Sequence, residues 1–160
     1  MRIIKKREIV EDTFVRVADD QPIPATGDVI VSLARFNAER NELLARSGKL
    51  GVQLHSDEFA ETLTAHLDKL AVVAIEFPKF RDGRGFSTAR LLRERHGYKG
   101  EIRAVGHVIR EHLFYMTRCG FDAFEMAPGK DLQDALTGFN DFTVTYQAAV
   151  DDPRPLYRRR

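Results

Sequence analysis

The sequence predicts an α/β fold of repeated βα units around a mainly parallel sheet, and three observations carry that reading. Short apolar runs start near residues 29, 50, 71, 101 and 121, and a helix-patterned stretch separates each from the next. That spacing is the signature of βα units. The runs are interrupted by polar residues, Gln53, Glu76, Arg103 and Glu125. The middle strands of an open doubly wound sheet are buried on both faces and read as continuous apolar runs, so one face here tolerates polar groups, as the inside of a barrel does. Finally, about five or six units are too few for the usual eight-stranded barrel. A partial (βα)-barrel-like arrangement is expected, with the open doubly wound sheet as the alternative.

The elements follow in order. Residues 1–27 form an extended N-terminal segment, in which FVRV (14–17) alternates apolar and polar and QPIP (21–24) breaks the chain; a β hairpin or meander is expected. VIVSL (29–33) is the first core strand, followed by a helix that Asn37 caps and Gly48 ends. LGVQLH (50–55) precedes a helix over 56–70 with Ser56 or Asp57 as its cap. AVVAIEF (71–77) leads through a charged loop into a helix from Phe86 to Gly97. EIRAVG (101–106) leads into a helix with Ile109, Leu113 and Met116 on one stripe. FDAFEM (121–126) precedes a short helix, and FTVTYQ (142–147) is a sixth strand. One domain is expected over 1–160: the N-terminal segment, a βα core over 28–147 and a tail over 148–160.

Composition narrows the function classes. Lys and Arg number 25 against 24 Asp and Glu, a formal net charge of +1, so nothing global favours nucleic acid or an anionic membrane. No apolar run approaches the roughly 20 residues of a membrane span. The start, MRIIKKREIVEDTF, has no continuous apolar core of a signal peptide. The single cysteine, Cys119, forms no internal disulfide and no cluster site from this chain alone. A cytoplasmic protein with no cofactor and no metal site is expected. A homodimer is expected only as a way of covering open sheet edges.

Ligands of parallel α/β folds bind at the carboxyl ends of the strands. That rule collects His55, Glu76, Lys79, Arg81, Asp82, Arg84, His107, Arg110 and Glu125. The loop EFPKFRDGRGFS (76–87) is the most specific stretch. Gly83 and Gly85 free the backbone to approach a ligand, and the N–H groups around Ser87 favour an anion. Arg81 and Arg84 offer guanidinium forks for an oxyanion or carboxylate. Beside this anion site stands a purely structural loop, with Asp82 paired to an arginine. The loop lacks the ending of a phosphate loop and the third glycine of a dinucleotide fingerprint. His107 is the weak candidate for a catalytic acid–base, and Cys119 reads as a buried core thiol.

The runs FPKFRDGRG, RAVGHVIREHL and RCGFDAFE carry a family resemblance. Over roughly residues 27–147 the chain resembles a bacterial family of unknown function that bears the label of an oxidoreductase with a part in sulfite reduction. Members tend to be encoded beside assimilatory sulfite reductase. The resemblance implies a context, cysteine biosynthesis from sulfate, and assigns no catalytic residues. Three functions follow as expectations: an accessory protein acting with sulfite reductase or its redox partner, an enzyme acting on a small anion, and an oxidoreductase with a cofactor pocket outside the known motifs.

Overall fold

The computed structural model describes residues 1–79, 82–141, 147–155 and 158. Eight strands form one sheet: β1 Arg2–Lys5, β2 Glu8–Glu11, β3 Phe14–Arg16, β4 Asp28–Ser32, β5 Leu50–Leu54, β6 Val72–Phe77, β7 Glu101–Gly106 and β8 Ala123–Phe124. Their spatial order is β2-β1-β8-β7-β6-β5-β4-β3. Every neighbour from β3 to β8 pairs in parallel, whereas β1 runs antiparallel to both β8 and β2. The expected core strands are therefore parallel to one another. The sheet as a whole is mixed rather than mainly parallel, because the N-terminal hairpin does not stand apart but docks on β8.

Topology alone requires the sheet to curl. β2 and β3 occupy its opposite edges, yet only Asp12 and Thr13 separate them in sequence. Seven spacings of about 4.8 Å would put the edges of a flat sheet roughly 34 Å apart. Two linking residues reach at most about 11 Å. The sheet accordingly curls into a half-barrel whose edges the chain itself ties together, leaving neither edge strand isolated. The open doubly wound alternative is excluded.

The helices are α1 Leu33–Ala38, α2 Arg40–Ala45, α3 Arg84–Glu94, α4 Arg110–Cys119 and α5 Leu132–Thr137, with a 3₁₀ helix over Ala60–Lys69. They cover the outer face, where Val31, Val52, Leu54, Val73, Ile75 and Ile102 join the main core. Alternate residues turn inward: Ile30, Val72, Ala74 and Val105 form a smaller apolar cluster with Phe14. Between them lies Arg103, 1% exposed, its guanidinium on Asp12 at 2.7 and 3.0 Å, on Glu101 at 2.7 Å and 5.5 Å over the Phe14 ring. The polar interruptions of the strand runs thus mark the inner face.

Local expectations need several corrections. Ser32, not Asn37, caps the first helix, accepting from the Arg35 N–H at 3.1 Å. That helix divides into α1 and α2 at Glu39. Neither Ser56 nor Asp57 caps the next, which starts later and is 3₁₀. There, the Thr62 and Thr64 hydroxyls donate to carbonyls three residues back, at 2.7 and 2.9 Å, offering the backbone groups an alternative to an α-helical ladder. α3 begins at Arg84 rather than Phe86. The expected strand 142–147 falls, apart from Gln147, outside the described residues. The tail over 148–155 packs back on α4: Val150 N–H donates to Arg118 O at 3.1 Å and Asp151 pairs with Arg118 at 2.7 Å.

Candidate functional site at the mouth of the half-barrel

The carboxyl ends of the strands open on a polar cavity of about 750 Å³, within the range of small-molecule sites. Arg16, at the end of β3, reaches across this mouth to Glu125, just beyond β8. The pair is bidentate, Nη1 to Oε1 at 3.2 Å and Nη2 to Oε2 at 2.9 Å. It joins residues 109 positions apart in sequence and spans the mouth that the curl creates. Gln53 from β5 and Glu76 from β6 complete the wall between them. The Gln53 amide oxygen is buried and has no hydrogen-bond partner among the described residues.

A second cavity of about 370 Å³ adjoins the first, with Ser32, Gln53 and His55 on its walls. Arg16 and Gln53 line both cavities. The two are also linked by chemistry: His55 Nδ1 hydrogen-bonds to Glu76 Oε2. The His55 backbone N–H donates to Glu58 at 2.8 Å, which fixes the start of the following turn. The hydrogen bond to Glu76 pushes the His55 pKa above its ordinary value, against a smaller opposing effect of burial. A half-exposed histidine held by a carboxylate is equipped to give and take a proton near neutrality.

The loop before α3 is built differently. Asp82 accepts from Arg84 Nε at 3.1 Å, Nη2 at 2.9 Å and the Arg84 backbone N–H at 3.2 Å. Arg84 also donates to Ser56 Oγ at 3.0 Å. These bonds, led by the guanidinium, hold the Asp82 carboxyl well below the usual carboxylate range. Gly83 has room for a side chain: among the described residues a Cβ there would meet only the Phe86 ring, at 3.7 Å. Gly85 has none: a Cβ there would lie 2.7 Å from the Phe77 ring and 2.9 Å from Ile75. Its small size lets α3 pack on β6. Lys79 and Ser87 lie beside this loop, both exposed, and Arg81 lies outside the described residues.

Among the residues singled out from sequence, His55, Glu76 and Glu125 meet at the mouth. Arg110 does not join them; it donates to Thr137 at 2.8 Å and Asp141 at 3.2 Å, tying α4 to the end of α5 and the segment after it. His107 is exposed just after β7, its backbone N–H on the Phe77 carbonyl at 2.7 Å. Sequence reasoning missed Arg16 as a site residue. Its signal was the polar position of the alternating FVRV run, which points inward once the segment is placed in the sheet. Gln53 was visible as a polar interruption but not as part of a site. Among the described residues, no group of three His, Cys, Asp or Glu side chains is placed to hold a metal ion. No helix among them is long and apolar enough to cross a membrane.

Fold and site together define a βα half-barrel protein with a polar mouth at its strand ends. Residues 51–157 match the profile of DUF934, a bacterial protein of unknown function, and the chain belongs to that family. The matched stretch holds Gln53, His55, Glu76 and Glu125, whereas Arg16 precedes it. No curated protein matches the chain.

Proposed function

We propose that the protein is an accessory of assimilatory sulfite reduction, serving cysteine biosynthesis in concert with sulfite reductase or its redox partner, and that it works by binding a small polar ligand at the half-barrel mouth. The pathway rests on the family resemblance. The binding role rests on one observation: six parallel strands direct their carboxyl ends at a polar cavity of about 750 Å³ that Arg16 and Glu125 bridge. Deleting the gene and growing the strain on sulfate, sulfite or sulfide tests the pathway. Growth on sulfide alone places the defect at sulfite reduction. Wild-type growth on all three sulfur sources refutes the accessory role.

A second reading, an enzyme acting on a small anionic substrate, is favoured by the His55–Glu76 pair. In it, His55 takes the acid–base role that sequence reasoning gave to His107. Glu76 orients the ring and stabilises its protonated form. Co-purification with sulfite reductase from cells favours the accessory reading. Turnover of a small anion by the isolated protein, lost in His55→Gln, favours the enzyme.

A further inference from the structure

The mouth is built around an ion pair that a ligand must either leave alone or take apart. Arg16 and Glu125 present two N–H donors and two oxygens to each other, and their side chains are 41% and 20% exposed. Arg16 lines both adjoining cavities. A ligand that takes either the Arg16 fork or the Glu125 carboxylate must part the two.

The charge count restricts what that ligand is. The larger cavity is lined by Arg2, Arg16 and Lys130 against Glu76, Glu125 and Asp131, three side chains of each sign, and by Met1, whose terminal ammonium pairs with Glu11 at 3.6 Å. A simple anion that took Arg16 would leave the Glu125 carboxylate without its partner. A simple cation that took Glu125 would strand the guanidinium. Leaving one member of a partly buried pair unmatched forfeits charge-assisted hydrogen bonds that the ligand does not return. A molecule carrying both charges replaces the pair like for like: its carboxylate on the Arg16 fork, its ammonium on Glu125. The Gln53 amide oxygen, buried on the same wall without a partner among the described residues, supplies a further acceptor for that ammonium.

The geometry points to the mouth as a site for a zwitterionic amino acid, held between Arg16 and Glu125 in place of their mutual ion pair. This deepens the proposed binding role and rests on it. Its test is amide-resolved NMR of the full chain. Glycine, L-alanine and L-serine are titrated in, with propionate, sulfate and ethylammonium as single-charge probes. The amino acids should shift the backbone amides of Arg16, Gln53, Glu76 and Glu125, with Kd about tenfold or more below that of any single-charge probe. Arg16→Met and Glu125→Gln should each weaken amino-acid binding by about tenfold or more, with an amide pattern elsewhere that matches the parent fold. If propionate or sulfate binds at the same amides as tightly as the amino acids, the zwitterion assignment fails while the mouth stands as a binding site. If no probe moves the mouth amides, the assignment fails and the binding role fails with it.

Discussion

Arg103 of β7 holds Asp12, in the two-residue link between β2 and β3, through two hydrogen bonds of 2.7 and 3.0 Å. This contact fastens the point where the two edges of the sheet meet to the middle of the sheet. Glu101 and Phe14 enclose the guanidinium, and Lys5 reaches Glu101 at 2.7 Å. Asp12→Ala leaves Arg103 short of a partner in a site 1% exposed. The expected loss is about 3–5 kcal/mol of unfolding free energy, the range for breaking a buried pair. Urea unfolding measures it; a loss below about 1 kcal/mol, the level of an exposed pair, would show that the link does not hold the sheet closed.

Gly85 and Gly83 separate a packing role from a ligand role in the DGRG loop. Gly85→Ala drives a methyl group into Phe77 and Ile75 and should cost about 1–3 kcal/mol. Gly83→Ala makes an ordinary van der Waals contact with the Phe86 ring at a φ of −93° and should stay within about 0.5 kcal/mol of the parent. Thermal melts of the two variants check this. Equal effects would contradict the packing account of Gly85.

His55 should titrate above its ordinary range in the folded protein, and Glu76→Gln should bring it down. The sign for stability follows from linkage. A histidine whose pKa is raised on folding binds protons more tightly in the native state. Its stabilising contribution is full below the unfolded value of about 6.5 and fades as pH rises through the folded value. Because the ring is about half exposed, that contribution is small. NMR of the ring protons reads the shift; a His55 that titrates at or below the unfolded value would contradict the carboxylate contact.

Cys119 lies at the end of α4, 1% exposed, and burial pushes its thiol pKa up despite the nearby Tyr115 hydroxyl and Arg90. A thiol in that state is a poor nucleophile. Native protein should react with a thiol reagent far more slowly than unfolded protein. Cys119→Ser should sustain growth on sulfate in a deletion strain, at a stability cost of about 1–3 kcal/mol for the buried hydroxyl. Loss of that growth in a folded variant would assign the thiol a functional role.

Much of the fold was legible because it rests on strand patterning. Gln53, Glu76, Arg103 and Glu125 broke their apolar runs on the inward side, and each lies on the inner face or at the mouth. The alternation in FVRV likewise marked β3. Less visible were features set by tertiary pairing. Nothing local says that β1 docks antiparallel on β8, or that β2 and β3 sit at opposite edges. The site was half legible for the same reason. His55, Glu76 and Glu125 follow from the strand-end rule, but Arg16 meets Glu125 only through the curl. The charged loop drew the eye by composition, yet Asp82, Arg84 and Ser56 satisfy one another there and Gly85 serves helix–strand packing.

The most direct test of the mouth as the working site is complementation of the deletion strain with Glu125→Gln and Arg16→Met, each shown to be folded by its melting curve. The pair is only partly buried, so neither change should lower stability by more than about 2 kcal/mol. The predicted result is failure to restore growth on sulfate and sulfite, with normal growth on sulfide. Full restoration by both variants would contradict a role for the mouth.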